Sequence, residues 1–368
     1  MLTRLHIDNF RCFVNFEYRP GRKQLIVGRN GTGKSSFMDA LLFLRSFVQS
    51  GADAAGPTFS FRNQPTQWLD QSRQVFELEA LLDGESFFYR LDIEPWRGQS
   101  PPRVHSETVH IGERPIFEFK DGQVQLFDGN LEPRPSFPAD PARSALPITP
   151  LGTDKLSVFK LWLSRLFCFR LNPFAMELRA ERDDLAPKVD LANVAAWLSH
   201  LVQSSPRENF ALHDSLQDVV DKFSSLQLES LGGSVRILTA EFERTPATVL
   251  KFGFNQLSEG QRCLICLYII LHFVLAKGGT VIIDEPENFI ALREIQPWLT
   301  AVSDMVEEGR GQIIVISHHP ELINQWAPSC GVQFVRDGMG PVRVEPFHGE
   351  PSSGLSPAEL VARGWENG

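Results

Sequence analysis

The run Gly28-Arg-Asn-Gly-Thr-Gly-Lys-Ser35 fits the pattern G-x-x-x-x-G-K-[ST] at every required position. It follows the apolar residues 25–27 and opens into a helical pattern that begins at Ser36. Glycines let the backbone curl so that successive N–H groups point at one anion, at the positive end of the helix dipole. The strand–loop–helix order therefore predicts a phosphate-binding loop, and with it a nucleotide site.

The residue types of this loop predict how each part would contact the phosphates. Lys34 would reach the β- and γ-phosphates, and the Ser35 hydroxyl would complete the ligand shell of a Mg2+ ion. The predicted nucleotide-binding residues in this run are Asn30, Gly31, Thr32, Gly33, Lys34, Ser35 and Ser36.

Composition and charge narrow the class of protein. A chain of 368 residues is long enough for two or three structural units, and 42% hydrophobic and 22% charged residues are ordinary for a soluble globular protein. The formal net charge of −9 argues against a protein that coats nucleic acid by bulk electrostatics. A local basic surface is still compatible with it, because affinity depends on where the charges lie.

The cysteines and the apolar runs predict a soluble, cytoplasmic protein with no membrane partner. The five cysteines are odd in number and scattered, which fits a reducing compartment. Cys263 and Cys266 form a C-x-x-C pair inside an apolar, helix-like run, which favours a buried helix face over zinc or redox chemistry. That run, residues 263–276, has 14 residues and is too short to cross a bilayer. The N-terminus lacks a signal-peptide pattern.

The pattern along the chain predicts five segments. Strands dominate the first part, prolines crowd the second, and helical periodicity takes over at residues 156–167, 191–202 and 210–223 before strands return. The predicted segments are an N-terminal lobe with the phosphate loop and a β subdomain (1–130), a proline-rich connector (131–153), an inserted helical subdomain (154–230), a C-terminal lobe (231–348) and a tail (349–368).

Two carboxylates end a buried β run, Thr280-Val-Ile-Ile-Asp-Glu-Pro-Glu287. A buried parallel strand delivers its last residues to the edge of the sheet where nucleotides bind. Asp284 is therefore predicted to hold Mg2+, and Glu285 to polarise a water for in-line attack on the γ-phosphate. A second buried run, residues 312–317, ends at His318, which could donate a hydrogen bond to the γ-phosphate or to the attacking water.

Together with Leu257-Ser-Glu-Gly-Gln261, these elements resemble the ATP-binding-cassette ATPases. LSEGQ matches the signature motif of that superfamily, in which the signature of one subunit faces the phosphate loop of the other across bound ATP. The resemblance implies a homodimer formed through ATP, with Ser258, Gly260 and Gln261 contacting nucleotide across the interface. It also implies that His318 is the switch histidine and that the chain hydrolyses ATP to ADP and phosphate.

Motif spacing indicates which branch the chain resembles. Lys34 and Ser258 lie 224 positions apart, far more than in transporter cassettes, and the insertion lacks a sustained heptad pattern. This resembles compact members of the SMC/RecF/OLD group, more narrowly bacterial predicted ATPases of the AAA_21 type. The opening Leu5-His-Ile-Asp-Asn-Phe-Arg-Cys-Phe13 is similar to the start of that group, which would place Arg11 near the phosphates.

The expected fold is α/β: an ABC-type P-loop ATPase head with a parallel core sheet, an antiparallel β subdomain and an inserted mixed or helical subdomain. Three departures accompany the resemblance. The usual Leu-His-Pro after the acids is Ile290-Ala-Leu292, the Q-loop glutamine has only Gln64 and Gln67 as candidates, and no acidic cluster of a TOPRIM nuclease follows residue 320.

These observations leave four functions to compare. The leading expectation is an ATP-driven dimeric switch that acts with a separate effector, a nuclease or toxin, in anti-phage defence or a toxin–antitoxin module. The alternative is a RecF-like ATPase that binds DNA directly in DNA repair; Arg179 and Arg182 are candidate basic residues, although such charges are more often a solvated helix face. The motif spacing disfavours a transporter ATPase. The presence of both Asp284 and Glu285 disfavours a scaffold that binds ATP without hydrolysing it.

Overall fold

The computed structural model describes residues 1–56, 65–95, 100–128, 132–152, 154–245, 248–347 and 355–363. The chain divides into two units by its internal contacts. We call Met1–Leu166 with Pro320–Gly368 the terminal unit, and Phe167–His319 the central unit. This partition is coarser than the five segments expected from the sequence, and those five stay a prediction.

Strands dominate the first part of the chain, and helices become frequent after the proline-rich connector. The first part contains β1 (Leu2–Asp8), β2 (Phe16–Tyr18), β3 (Lys23–Val27), α1 (Lys34–Ser50), β4 (Gln74–Leu82), β5 (Glu85–Glu94), β6 (Arg103–Ile111), β7 (Arg114–Lys120), β8 (Gln123–Leu126), β9 (Phe137–Pro138) and α2 (Lys155–Ser164). The next part contains β10 (Leu166–Phe169), β11 (Arg179–Ala180), α3 (Val194–Ser204), α4 (Pro206–Val219), β12 (Phe223–Gly232), β13 (Val235–Thr245), β14 (Thr248–Gly253), α5 (Glu259–Phe273), β15 (Thr280–Asp284), α6 (Leu292–Glu307) and β16 (Gln312–Ile316). The last part contains α7 (Pro320–Cys330), β17 (Gly331–Arg336), β18 (Val342–Pro346) and α8 (Pro357–Arg363).

The largest sheet of the terminal unit has eight strands in the order β2-β1-β4-β5-β6-β7-β8-β9. Its neighbouring strands are antiparallel, and the hairpin turns at Asp83-Gly84 and Asp121-Gly122 have positive φ at both residues. Such turns match the right-handed twist of the flanking strands. The β subdomain expected from the sequence is therefore present.

The helix after the phosphate loop, α1, carries one buried face. It begins after Gly33 and ends at Gly51, both in the left-handed region, and its buried residues recur three or four apart. Phe37 on that face makes edge contacts with Tyr18 and Phe334, at ring-centroid distances of 5.3 and 5.6 Å. In the same unit β17 pairs with β3 in parallel and with β18 antiparallel, so the strand before the phosphate loop is held by backbone bonds.

The central unit contains the parallel pair β15–β16 and an antiparallel sheet in which β13 pairs with β11, β12 and β14. Helix α5 is buried along most of its length, and the Trp298 indole of α6 donates to the Leu267 carbonyl at 3.0 Å. Together with the turn that follows, Glu259–Lys277 is long and apolar enough to cross a membrane by length and composition, but 72% of that window is buried inside the protein. That burial is typical of a core helix, as expected from the sequence.

Two helix ends differ from the sequence-based expectation. Residues 210–223 were expected to be helical, but α4 ends at Val219 and the strand β12 begins at Phe223. Residues 156–167 were expected to form one helix, but α2 ends at Ser164 and the chain continues as the strand β10. Arg165 closes the helix, donating its N–H to the Trp162 and Leu163 carbonyls, and the apolar residues after it have strong β propensity.

A buried carboxylate fixes the proline-rich connector to the large sheet. Glu107 on β6 has no solvent exposure, and its Oε1 accepts from the Tyr89 hydroxyl at 2.9 Å and from the Ser144 hydroxyl at 2.7 Å. Its Oε2 accepts from the Ala145 N–H at 2.9 Å. Burial raises the pKa of Glu107 above its ordinary value, against the effect of these hydrogen bonds.

We expect Glu107→Gln to lower the free energy of unfolding by about 1–3 kcal/mol. The amide oxygen would keep the Ala145 N–H, and its NH2 would face the Tyr89 and Ser144 hydroxyls, whose protons would then lose the acceptor they have in the wild type. Urea unfolding followed by circular dichroism measures the change. Glu113→Gln, the same chemical change at an exposed turn residue, is the matched control and should be close to neutral.

The raised pKa of Glu107 also determines how the difference in unfolding free energy between the wild type and Glu107→Gln depends on pH. The folded protein binds the Glu107 proton more tightly than the unfolded chain, so the wild type loses stability as pH rises from 4.5 through the folded pKa. The glutamine variant lacks this loss, and the difference between the two should therefore narrow above pH 4.5. A gap that widens with pH would contradict the assignment.

Candidate nucleotide site

The phosphate loop joins β3 to α1 through three glycines with positive φ, Gly28, Gly31 and Gly33. A Cβ at position 28 would lie 2.6 Å from the Phe334 carbonyl oxygen, and one at position 33 would lie 2.9 Å from Cys12 Sγ. Side chains cannot be accommodated at either place without moving backbone or core atoms. The glycines therefore allow both the curl of the loop and its packing against the body of the terminal unit.

The start of α1 is chemically suited to an anion. Its N-cap, Gly33, has no side chain to accept from the first-turn amides, and that turn contains no acidic residue. Ser35 is exposed and Ser36 half-buried, while Asn30 and Gly31 are exposed at the tip of the loop. The N–H groups and the dipole of this helix are thus directed at a place where phosphate oxygens could accept from them.

Lys34 lies against its own loop. Its Nζ donates to the Gly28 carbonyl at 2.6 Å and to the Arg29 carbonyl at 2.9 Å, and the Thr32 hydroxyl also donates to the Arg29 carbonyl at 2.9 Å. The ammonium group is therefore held within the loop by carbonyl oxygens, which phosphate oxygens of a nucleotide can replace as acceptors.

Two arginines contact this part of the terminal unit. Arg11, in the turn after β1, has φ 50, pairs with Asp39 of α1 and lies 5.3 Å from the Phe10 ring centroid. Arg336 at the end of β17 donates to the Gly31 carbonyl at 3.3 Å and lies 5.4 Å from the ring centroid of Trp68. Arg11 was a predicted nucleotide residue; Arg336 was not, because nothing near it in sequence indicates the loop.

The two acids follow the parallel strand pair of the central unit. Asp284 is the last register partner of β15 and faces Ile316 of β16. The Glu285 N–H donates to the Ile316 carbonyl at 2.8 Å, Glu285 has φ 49, and its Oε2 accepts from the Asn288 amide at 2.6 Å. Non-glycine residues rarely adopt this backbone conformation, so the turn at Glu285 is held by its surroundings.

His318 follows β16 directly, at the same edge as the acids. It is exposed, whereas Ser317 before it is fully buried and His319 is half-buried. The parallel register thus brings Asp284, Glu285 and His318 to neighbouring strand ends, as expected from the sequence.

A buried hydrogen-bond pair connects the loop of the acids to the end of β16. The Ser317 hydroxyl donates to Glu287 Oε1 and accepts from the His319 N–H at 2.9 Å. Glu287 is 8% exposed, its other oxygen has no hydrogen-bond partner among the described residues, and burial raises its pKa. The sequence did not indicate this pair because the two residues are separated by 30 positions and neither had been assigned a role within the runs that contain them.

The predicted magnesium ligand has a cation beside it. Arg170 Nε and Nη2 each lie 2.8 Å from Asp284 Oδ2. The Arg170 side chain is 51% exposed and that of Asp284 is 16% exposed. A single carboxylate is the kind of sparse protein ligand that Mg2+ uses together with nucleotide phosphates, and no group of three or more His, Cys, Asp or Glu in the described part of the chain forms a denser site.

The signature run caps α5. The Ser258 hydroxyl accepts from the Gln261 N–H at 3.2 Å, and Gln261 Oε1 accepts from the Ser258 N–H at 3.1 Å, which is a complete capping box. A Cβ at Gly260 would lie 2.7 Å from the Phe289 carbonyl oxygen. Ser258, Gly260 and Gln261 therefore also have roles within the subunit, which their resemblance to the signature motif did not reveal.

The remaining candidates from the sequence are two glutamines and two cysteines. Gln64 lies outside the described residues, and Gln67 lies in the exposed segment before β4. Cys263 and Cys266 are buried on α5, and burial raises the pKa of Cys263 to about 12. Such thiols stay protonated, which agrees with the expected helix face and disfavours a redox or zinc pair.

The fold is that of an ATP-binding-cassette type of ATPase head, and the family follows from the sequence. Residues 25–324 match the family model AAA_21, described as "AAA domain, putative AbiEii toxin, Type IV TA system". This match covers most of the chain. The chain belongs to the AAA_21 family.

Similarity to individual proteins is more limited. A 114-residue segment is 31% identical to the DNA replication and repair protein RecF of Shewanella sediminis (strain HAW-EB3), and this match spans 29% of the chain and only 28% of that protein. Two solved SMC heads share the fold at 13% identity. The first is an SMC head bound to the C-winged helix domain of ScpA; its TM-score is 0.57, and the match covers 96% of this chain and 99% of that structure's chain. The second is an SMC head from Pyrococcus furiosus bound to the C-terminal domain of ScpA; its TM-score is 0.54, and the match covers 98% of both chains.

We expect Ser317→Ala to lower the free energy of unfolding by about 1–3 kcal/mol, because it removes the donor to Glu287 and the acceptor of His319 N–H. Urea unfolding without nucleotide measures this change. Ser72→Ala, at an exposed serine, is the control. Equal midpoints for the two variants would contradict the assigned role of the pair.

Proposed function

We propose that this chain is an ATP-driven dimeric switch that binds and hydrolyses ATP and acts with a separate effector protein. The observation that carries the proposal is the parallel register of β15 and β16, which brings Asp284, Glu285 and His318 to one edge. The phosphate loop of the same chain supplies the complementary groups for a nucleoside triphosphate. We infer a cytoplasmic location from the same composition that fits a reducing compartment.

The phosphate loop would bind the triphosphate through its backbone. The N–H groups of Asn30, Gly31, Thr32, Gly33, Lys34, Ser35 and Ser36 donate to phosphate oxygens, with the dipole of α1 behind them. Lys34 exchanges the Gly28 and Arg29 carbonyls for β- and γ-phosphate oxygens. Arg11, held near the loop by Asp39, adds positive charge at the phosphates.

The chemical step would be carried by the edge of the central unit. Mg2+, held by Ser35 and Asp284, would neutralise charge that develops on the phosphate oxygens. Glu285 would accept a proton from the attacking water, and His318 would donate a hydrogen bond to the γ-phosphate. The Glu285–Ile316 backbone bond keeps the base aligned with the strand end that carries His318.

The nucleotide would join two copies of the chain. Ser258 and Gly260 of one copy, with Gln261 behind them, would contact the γ-phosphate on the loop of the other copy. Ser258 is exposed at the N-terminus of α5, where a helix dipole favours an anion. ATP would close the dimer and hydrolysis would open it.

The biological setting we propose is a bacterial anti-phage or toxin–antitoxin module, with a nuclease or toxin as the separate effector. The family description, which names a putative toxin of type IV toxin–antitoxin systems, supports this setting. A RecF-like ATPase that binds DNA in DNA repair is the second candidate, and the matched RecF segment favours it.

Glu285→Gln should lower ATP turnover by at least about 100-fold while ATP affinity stays within about twofold, because the amide cannot accept the proton but keeps the shape of the side chain. Steady-state phosphate release and equilibrium binding of ATP measure the two quantities. Glu294→Gln on α6, the same change at an exposed residue, should turn over like the wild type. Unchanged turnover of Glu285→Gln would exclude Glu285 as the base.

The native mass of the Glu285→Gln protein should double on addition of Mg2+ and ATP, as measured by size-exclusion chromatography with light scattering. Ser258→Arg should abolish the doubling, since a bulky cation would fill the place of the γ-phosphate contact. A mass that is indifferent to ATP would contradict the sandwich dimer. Repeating the measurement with duplex DNA distinguishes the two proposed functions. DNA that joins the complex, and leaves it as the salt concentration rises, favours the RecF-like function, whereas a complex without DNA favours the switch.

A further inference from the structure

Arg170 contacts one oxygen of the carboxylate that the proposed metal site needs. Both its Nε and its Nη2 lie 2.8 Å from the same oxygen, Asp284 Oδ2. A guanidinium and a divalent cation repel each other and compete for the negative charge of one carboxylate. Arg170 and a metal ion therefore compete for Asp284: the carboxylate is paired either with the guanidinium or with the metal ion.

The Arg170–Asp284 ion pair is weak enough for a metal ion to replace Arg170 at the carboxylate. Arg170 is half exposed, and ion pairs in contact with water contribute little because solvent screens them. Arg170 also has an anchor of its own, since its N–H donates to the Val189 carbonyl at 2.8 Å. The side chain can therefore leave Asp284 while its backbone stays in place.

The residues that follow Arg170 reach the signature helix. The Pro173 carbonyl accepts from Arg262 Nη1, and Arg262 is a 7%-exposed residue directly after the signature run. Phe174, next in the chain, makes an edge contact with Phe289 at 5.7 Å, in the loop that follows the acids. Residues 170–174 thus contact Asp284, the signature helix α5 and the loop that follows the two acids, all inside the central unit.

We propose that Arg170 is a positioning residue of the nucleotide site: it holds the Asp284 carboxylate before a metal–nucleotide is bound and releases it when one binds. Residues 170–174 then change their contacts with the signature helix, so that the signature responds to occupancy of the acid in its own subunit. This inference rests on the proposed function, because it takes Asp284 as a metal ligand.

The test compares the wild type with Arg170→Gln, using the fluorescent nucleotide mant-ADP and increasing Mg2+. Removal of the competing cation should lower the Mg2+ concentration for half-maximal enhancement of binding by about two- to fivefold, the fold-change expected of a half-exposed ion pair. Arg207→Gln, the same change at an exposed residue of the same unit, should leave the Mg2+ midpoint unchanged.

The outcomes separate this inference from the proposed function. If the wild type shows a Mg2+ midpoint and Arg170→Gln shows the same one or a higher one, Arg170 does not compete with the metal and the inference is wrong. If Mg2+ has no effect on mant-ADP binding to the wild type, the metal site itself fails, and the proposed function with it.

Amide hydrogen exchange gives a second readout that a merely structural ion pair would not move. Adding Mg2+ with mant-ADP should change exchange at residues 170–176 and 259–262 of the wild type. In Arg170→Gln these residues should already exchange at the changed rate before Mg2+ is added. Exchange that responds to Mg2+ equally in both proteins would overturn the role given to residues 170–174.

Discussion

The parallel pairing of β15 with β16 is the constraint on which the chemical part of the structure depends. Asp284 is the last residue in register, and one further bond, from the Glu285 N–H to the Ile316 carbonyl, extends the pairing past it. That bond holds Glu285 in the left-handed region, which costs about 1–2 kcal/mol for a residue with a Cβ. In return, the chain turns sharply enough for Glu287 to reach Ser317. The positions of the two acids, of the Glu287–Ser317 pair and of His318 therefore all depend on the pairing of β15 with β16.

Close backbone approach explains why the glycines of two motifs occupy their positions. Gly28 faces a carbonyl of β17 and Gly260 faces the carbonyl of Phe289, both at distances that no Cβ tolerates. These requirements come from packing within a unit and exist before any nucleotide is bound. A motif that looks like a ligand signature is thus also a folding requirement, and loss of activity on substituting these glycines does not by itself identify a ligand contact.

The sequence predicted what is local and missed what is long-range. The phosphate loop, the hairpins of the large sheet and the strands ending in acids follow from short patterns of glycine, alternation and apolar runs. The Arg170–Asp284 contact joins residues 114 positions apart, and no local pattern indicates it. Leu166 and Phe167 were expected to end a helix, because a short apolar run fits either a buried helix or a buried strand. This concealed the strand β10, which ends at Phe169, one residue before Arg170.

Two carboxylates of this chain show how burial decides between a permanent contact and an exchangeable one. Glu107 is fully buried and accepts three hydrogen bonds, so losing one donor leaves an unpaired buried group at a cost of about 1–3 kcal/mol. Asp284 keeps some exposure, and its partner Arg170 is half in water, where an ion pair contributes about 0–1 kcal/mol. A nucleotide-dependent switch needs contacts of the second kind at its site, because the free energy of ligand binding must exceed what the old contact contributed. The positions of these two acids in the fold meet that requirement: the strong network holds the connector, and the weak pair lies where the charge is expected to change.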